Sequence, residues 1–198
     1  MATLTPTPSC PLSRWRLHLA GKLLRGGAVI AYPTETVYGL GCDPLNAEAV
    51  IAILRLKQRK MGKGLIVVGA DTAHLAPYIA PDQHHLLTLL EQTPEVPTTW
   101  LLPTHPAVPH WITGGRPRIA LRLTRHPIAA QLCRTLGGGL ISTSANPAGR
   151  PPACTALQVR RYFGNALDYI VTGNGGLTGK PSEIRDAVSG AVLRPITH

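Results

Sequence analysis

The stretch Ala28-Val29-Ile30-Ala31-Tyr32-Pro33-Thr34-Glu35-Thr36-Val37-Tyr38-Gly39-Leu40-Gly41 sets a short apolar run directly against a polar, glycine-containing one. Residues 28–32, closed by Pro33, predict a buried strand whose end opens a loop. Open α/β folds place ligand loops outside the carboxyl ends of their strands, and hydroxyls in segment 32–41 could grip a small polar substrate there. An ordinary strand-to-helix connection has the same local signature, so the segment alone leaves both readings open.

Working outward, Trp15, Leu19 and Leu23, with Ala20 and Leu24 beside them, recur at helical spacing after Ser13 and stop at Gly26-Gly27. This predicts an N-capped first helix with a glycine C-terminus. Asn46 is placed to cap a second helix carrying Ala47, Val50, Ile51 and Leu54 on one face. Further strands are expected over residues 65–68, 119–123, 140–144, 169–171, 182–186 and 191–193. Helical segments fall between several of them, one through Ile128, Ala129, Leu132, Cys133 and Leu136, another opened by a Thr155/Gln158 capping box and ending near Gly164. Such alternation argues an α/β fold. No internal repeat or long linker divides the chain, so residues 14–198 read as one domain preceded by a short extension, residues 1–13.

Composition bounds the function. Of 198 residues, 44% are hydrophobic and 15% charged, enough apolar surface for a globular core; 20 glycines and 19 prolines predict a loop-rich protein rather than a helix bundle. Lys plus Arg number 20 against 10 Asp plus Glu, a formal charge of +10 that favours polyanionic ligands such as nucleotide phosphates, pyrophosphate, RNA or anionic membrane. There is no run of 18 apolar residues, and the Thr/Pro-rich start lacks the pattern of a signal peptide, so a cytoplasmic location is expected. Cys10, Cys42, Cys133 and Cys154 are widely spaced and read as free thiols, and the His84-His85 pair as solvated helix surface. Neither G-x-x-x-x-G-K-[ST], G-x-G-x-x-G, G-x-S-x-G nor H-E-x-x-H occurs, so any nucleotide site is built without those loops.

Three other segments carry groups suited to anions. Lys57, Arg59 and Lys63 fall at the end of the second helix, where cations suit the macrodipole in any protein and could equally neutralise phosphate. Arg118 and Arg122 border an apolar strand; an arginine inside it either faces solvent or meets a carboxylate or phosphate. Residues 141–147 (ISTSANP) again bring hydroxyls and an amide past a strand end, as a self-bonded turn or as donors to a substrate.

Together these segments resemble the YrdC-type family, specifically its short bacterial threonylcarbamoyl-AMP synthase form. The similar stretches are residues 31–44 (AYPTETVYGLGCDP), 56–67 (LKQRKMGKGLIV), 111–122 (WITGGRPRIALR), 141–152 (ISTSANPAGRPP) and 181–187 (PSEIRDA), with the K-x-R element at Lys57 and Arg59 and the S-x-N element at Ser144 and Asn146. The resemblance implies a YrdC-like (DHBP synthase-like) α/β fold, a twisted mixed sheet with surrounding helices and a basic concave groove. It implies synthesis of threonylcarbamoyl-AMP and pyrophosphate from L-threonine, bicarbonate or carbon dioxide, and ATP with Mg2+. That product would pass to a transferase complex acting on tRNA.

Carried over by position, the family's L-threonine site falls on Thr36, Val68, Arg122, Ser142 and Ser182, with Arg122 on the carboxylate. Its ATP site falls on Arg59, Lys63, Arg118, Ser144, Asn146, Pro152 and Arg194. Lys57, Arg59, Ser144 and Asn146 would carry catalysis, and no side chain would bind metal, magnesium arriving with ATP. Lys60 stands where the family has proline, and residues 93–100 (TPEVPTTW) where it has W-P-G-P. The chain ends near His198 without the extra C-terminal domain of longer relatives. The alternatives are a non-catalytic protein binding tRNA or double-stranded RNA, and the carbamoyl-adenylate chemistry of hydrogenase maturation.

Overall fold

A computed structural model describes residues 13–92, 97–173 and 181–195. Helix α1 (Arg14–Arg25) begins at Ser13, whose hydroxyl accepts from Arg16 N, and ends at Gly26. Its apolar face is rotated from the expected one: Leu17, Ala20 and Leu24 are buried, Leu19 and Leu23 half-buried, and Trp15 is 70% exposed. Close packing decides this. At Gly21 a Cβ would lie 2.1 Å from Thr135 Cγ2, so the Ala20-Gly21 side, and no bulkier one, can meet helix α5 (Pro127–Leu136).

Strand β1 (Ile30–Pro33) and β2 (Tyr38–Gly41) are antiparallel, with Ile30 opposite Gly41 and Pro33 opposite Tyr38. Residues 38–41, expected in a loop, therefore form a strand, and the polar segment shrinks to a turn over residues 34–37. Gly41 is required there, since a Cβ would sit 2.6 Å from both Ile141 O and Tyr32 Cε1.

Helix α2 (Ala47–Leu56) is capped by Asn46 and buries Ala49, Val50, Ile53 and Leu54. Beyond it come β3 (Ile66–Gly69), α3 (Leu87–Glu91), β4 (Thr98–Pro103), α4 (His110–Thr113), β5 (Arg118–Leu123), α5 and β6 (Leu140–Ser144). Helix α6 (Ala156–Phe163) carries the expected Thr155/Gln158 capping box, and β7 (Tyr169–Ile170), β8 (Glu183–Asp186) and β9 (Val192–Arg194) follow. β4 was not expected. His84 and His85 are exposed, on the 3₁₀ segment Pro81–Leu86.

The nine strands of the described residues form one mixed sheet in the order β7-β1-β2-β6-β3-β5-β4-β8-β9; β1/β7, β3/β5 and β4/β8 are parallel and the other pairs antiparallel. On one face, Ile30, Tyr32, Val68 and Leu140 pack under α1 and α5 against Leu17, Leu24, Ile128 and Leu132. The opposite face carries Ala31, Leu40, Val67, Ile119, Leu121 and Ile141 into the larger core with α2. Cys42 and Cys133 are free and buried, and burial pushes both thiols up in pKa, so they stay protonated; Cys154 is free and half-buried. Of the expected N-terminal extension only Ser13 lies within the described residues. No helix among them is long and apolar enough to cross a membrane.

Candidate active site

The floor of the cleft is one transverse row of the sheet. Ser142 on β6 pairs with Ile66 on β3, Ile66 with Ala120 on β5, and Ala120 with Leu101 on β4. Paired residues share a face, and this is the face that α1 and α5 cover further along. Where the helical cover ends, the row lies open.

Two adjoining chambers stand on that floor. The smaller, about 110 Å³, is lined by Thr36, Arg122, Ser142, Ser144 and Ser182, with Tyr38 and Gly39 from β2. The larger, about 400 Å³, is lined by Lys63, Arg116, Pro117, Arg118, Ile112 and Ile184. Arg59, Leu65, Ile66 and Arg194 line both. Six cations thus face the two spaces, and no carboxylate from the described residues lines either. The expected anion-binding side chains from opposite ends of the chain meet here.

Arg122 is the buried anchor. Period-two alternation along β5 puts it on the same side as Ala120, at 6% exposure. Its Nη2 lies 3.7 Å from Glu35 Oε2, and its buried Nε has no hydrogen-bond partner among the described residues. Glu35 in turn is fixed by three donors on Oε1: Thr124 Oγ1 at 2.7 Å, Arg125 N at 2.6 Å and His126 N at 3.0 Å. Burial alone would raise the Glu35 pKa; the Arg122 charge and these hydrogen bonds outweigh it and hold the carboxyl below its ordinary value. Glu35 thus orients a guanidinium whose unused donor calls for an anionic oxygen. Glu35 was not among the expected site residues; its standing as the one acid of the polar segment after β1 was the available signal.

Arg59 and Arg194 face each other across the junction. Arg59 Nη2 donates to Gly64 O at 3.0 Å, while its buried Nε has no partner among the described residues. Burial and the neighbouring Arg116 charge depress the Arg59 pKa; burial, Arg122 and Arg59 depress that of Arg194. Cations crowded in this way are stabilised by an anion between them. Arg194 Nε and Nη2 donate to Ser182 O at 3.2 and 2.6 Å.

Lys57 stands behind this junction and lines neither chamber. Its buried Nζ donates to Ser144 O, to Asn146 O at 2.9 Å and to Asn146 Oδ1 at 3.2 Å, which uses all three ammonium protons. Ser144 Oγ donates to Asn146 Oδ1 at 2.6 Å, and Asn146 Nδ2 to Pro147 O and Arg150 O. The K-x-R and S-x-N elements are thus physically one unit: Lys57 clamps the loop that presents Ser144. Of the four residues expected to carry catalysis, Arg59 and Ser144 line the cleft, whereas Lys57 and Asn146 hold the loop from behind. Gln58, between Lys57 and Arg59, has φ +50° and closes α2 through Gln58 N to Arg55 O and Arg59 N to Leu54 O. That left-handed step turns the chain so that Lys57 points inward and Arg59 reaches the cleft.

Val68 and Pro152 line neither chamber. Val68 packs under α5, its carbonyl accepting from Cys133 Sγ at 3.5 Å. Arg118 reaches the larger chamber but is ion-paired with Asp186. Arg116 also belongs to the site and was missed, as was Thr99, which backs Ser182 from a strand that was unrecognised.

Residues 22–195 match the family model described as telomere recombination, which joins Sua5, YciO and YrdC proteins. The chain belongs to the Sua5/YciO/YrdC family. Within it, the threonylcarbamoyl-AMP synthase of Nitrosococcus oceani is 53% identical over 186 residues, 94% of this chain and 100% of that one. The threonylcarbamoyl-AMP synthase of Cellvibrio japonicus is 48% identical over 180 residues, 91% and 95% of the two chains. Among solved structures of the family, P. abyssi Sua5 complexed with L-threonine superposes with a TM-score of 0.86 at 30% identity, covering 94% of this chain and 56% of that one. This chain therefore spans little more than half the length of that protein.

Proposed function

We infer that the chain is a threonylcarbamoyl-AMP synthase, a nucleotidyltransferase that consumes L-threonine and ATP. The observation that carries this reading is the pair of adjoining chambers joined at Arg59 and Arg194, one small and hydroxyl-lined around Arg122, the other larger and cationic. A small amino acid fits the first, its carboxylate taking the free Nε of Arg122. The polyphosphate of a nucleotide suits the second, with Lys63, Arg116 and Arg118 around it.

In this scheme the threonine amine adds to carbon dioxide derived from bicarbonate and loses a proton, giving a carbamate. A carbamate oxygen attacks the α-phosphorus of ATP, the bond from that phosphorus to the β-phosphate bridging oxygen breaks, and pyrophosphate leaves. Two anions must approach each other, so the work is done by proximity and by cations that offset their repulsion. Arg59 and Arg194, lining both chambers, stand where the two anions would meet, and no protein nucleophile is needed. No group of three or more His, Cys, Asp or Glu among the described residues could hold a metal ion. Magnesium would enter with the ATP phosphates and neutralise part of their charge.

Transfer of the product to a tRNA-modifying transferase complex, in the cytoplasm, is the role consistent with this chemistry. Direct contact with tRNA or double-stranded RNA is not needed for it, and neither the RNA-binding alternative nor hydrogenase maturation accounts for a hydroxyl-lined chamber beside Arg122. The test is pyrophosphate release by purified protein with ATP, magnesium and bicarbonate. Release is expected only when L-threonine is added, and threonine-independent release would overturn the reading.

A further inference from the structure

Thr99, on β4, is completely buried, and its hydroxyl lies 2.9 Å from Ser182 Oγ, its only side-chain partner among the described residues. Ser182 is itself 3% exposed and lines the smaller chamber. Arg194 Nη2 approaches the same Ser182 Oγ at 3.4 Å while donating to the Ser182 carbonyl. A hydroxyl has one proton to give and two lone pairs to fill. Ser182 Oγ is the acceptor within reach of the Thr99 hydroxyl among the described residues, so the Thr99 proton goes there, because an unpaired buried donor is costly. A guanidinium can only donate, so Arg194 fills the second lone pair. Ser182 is left with its own proton and one open direction for it, the chamber.

We propose that Thr99 is a positioning residue that makes Ser182 an obligate hydrogen-bond donor, so that this wall of the chamber reads an anionic oxygen of the amino-acid ligand and rejects its ammonium. The inference rests on the chamber being the amino-acid site and adds the polarity of one contact within it. It also ties the two chambers together, since Ser182 faces the ligand with its hydroxyl and holds Arg194 with its carbonyl. Two anionic oxygens share this chemistry, those of the carboxylate and those of the carbamate formed at the amine.

The test compares T99V, which keeps the side-chain shape and removes the hydroxyl, with T99S, which restores it, alongside S182A and the double variant. Calorimetric affinity for L-threonine in bicarbonate-free buffer reads the carboxylate, and the KM for threonine in pyrophosphate release reads the carbamate. T99V is expected to weaken one or both by roughly tenfold, the scale of one hydrogen bond to a charged group. T99S should return to within about twofold of wild type, and T99V/S182A should lose no more than S182A alone, as expected of residues acting through one contact.

Wild-type values in T99V, a T99S as weak as T99V, or additive losses in the double variant would each overturn the proposal. Should T99V not fold, S182A still decides, since a wild-type threonine affinity in it overturns the proposal. Failure of wild type to release threonine-dependent pyrophosphate while still binding threonine would remove the proposed reaction and leave this inference standing.

Discussion

Replacing Lys57 by methionine separates a substrate-binding lysine from a positioning one. The variant fills nearly the same volume but removes the donors to Ser144 O, Asn146 O and Asn146 Oδ1. Asn146 Oδ1 keeps Ser144 Oγ as a donor and Ser144 O keeps Asn146 N, so one half-buried carbonyl, Asn146 O, loses its donor, at roughly 1–3 kcal/mol. Against this, methionine removes a charge that is costly to bury. Burial and the Arg59 charge pull the Lys57 pKa from 10.5 down to about 8, a penalty on the order of 3 kcal/mol that offsets the loss. The two terms nearly cancel near neutral pH, so K57M is expected within about 1 kcal/mol of wild type, or within about 2–4 °C in Tm for a chain of this size.

The sign of the pH effect follows from the same numbers. Between pH 8 and 10.5 the unfolded chain binds the Lys57 proton and the folded chain does not, so wild type gains stability relative to K57M as pH rises through that window. Urea denaturation at pH 7.5 and pH 10 reads both quantities. Pyrophosphate release should show a tenfold or greater fall in kcat/KM for ATP, with threonine affinity within about threefold of wild type, as a misplaced Ser144 implies. A stability difference between wild type and K57M that stays the same from pH 7.5 to pH 10 would refute the buried clamp. Unchanged activity would refute it as well.

Arg122→Ala should weaken threonine binding far more than ATP binding, by about tenfold or more in calorimetry, since a charge-assisted contact is lost from one chamber only. It also leaves the buried Glu35 without its cation, at roughly 3 kcal/mol near neutral pH. Glu35 is held below its ordinary pKa in wild type, so its contribution is present above the carboxylate range and lost as pH falls; the stability gap between wild type and R122A should therefore narrow at pH 4 in urea titrations. Glu35→Gln, keeping an acceptor for Thr124 and His126 but not the charge, should cost about 2 kcal/mol by the same assay. Gln58→Gly should raise stability by about 1 kcal/mol by relieving the left-handed strain at φ +50°, read as a higher urea midpoint with unchanged threonine affinity.

Sequence alone determined much of this protein where the physics is local. A proline-closed apolar run gave β1, and the Ser13, Asn46 and Thr155 caps placed α1, α2 and α6, because a cap and the amide it accepts from lie within three residues of each other. Resemblance to a family supplied the anion-binding residues, and Thr36, Arg59, Arg122, Ser142, Ser144, Ser182 and Arg194 do line one chamber.

What only the tertiary structure decided is non-local. The exposed Trp15 face of α1 depends on how closely Gly21 approaches Thr135, more than a hundred residues away. Strand β2 exists because it pairs with β1 and β6. β4, bracketed by Pro97 and Pro103, shows no clean alternation and is held between β5 and β8. Glu35 beside Arg122, Lys57 beneath Asn146 and Thr99 against Ser182 are contacts between residues some 80 to 90 positions apart. Each fixes the orientation or protonation of a side chain whose type was legible in the sequence. Orientation is set by the neighbours the fold brings up, so it was written in no single segment.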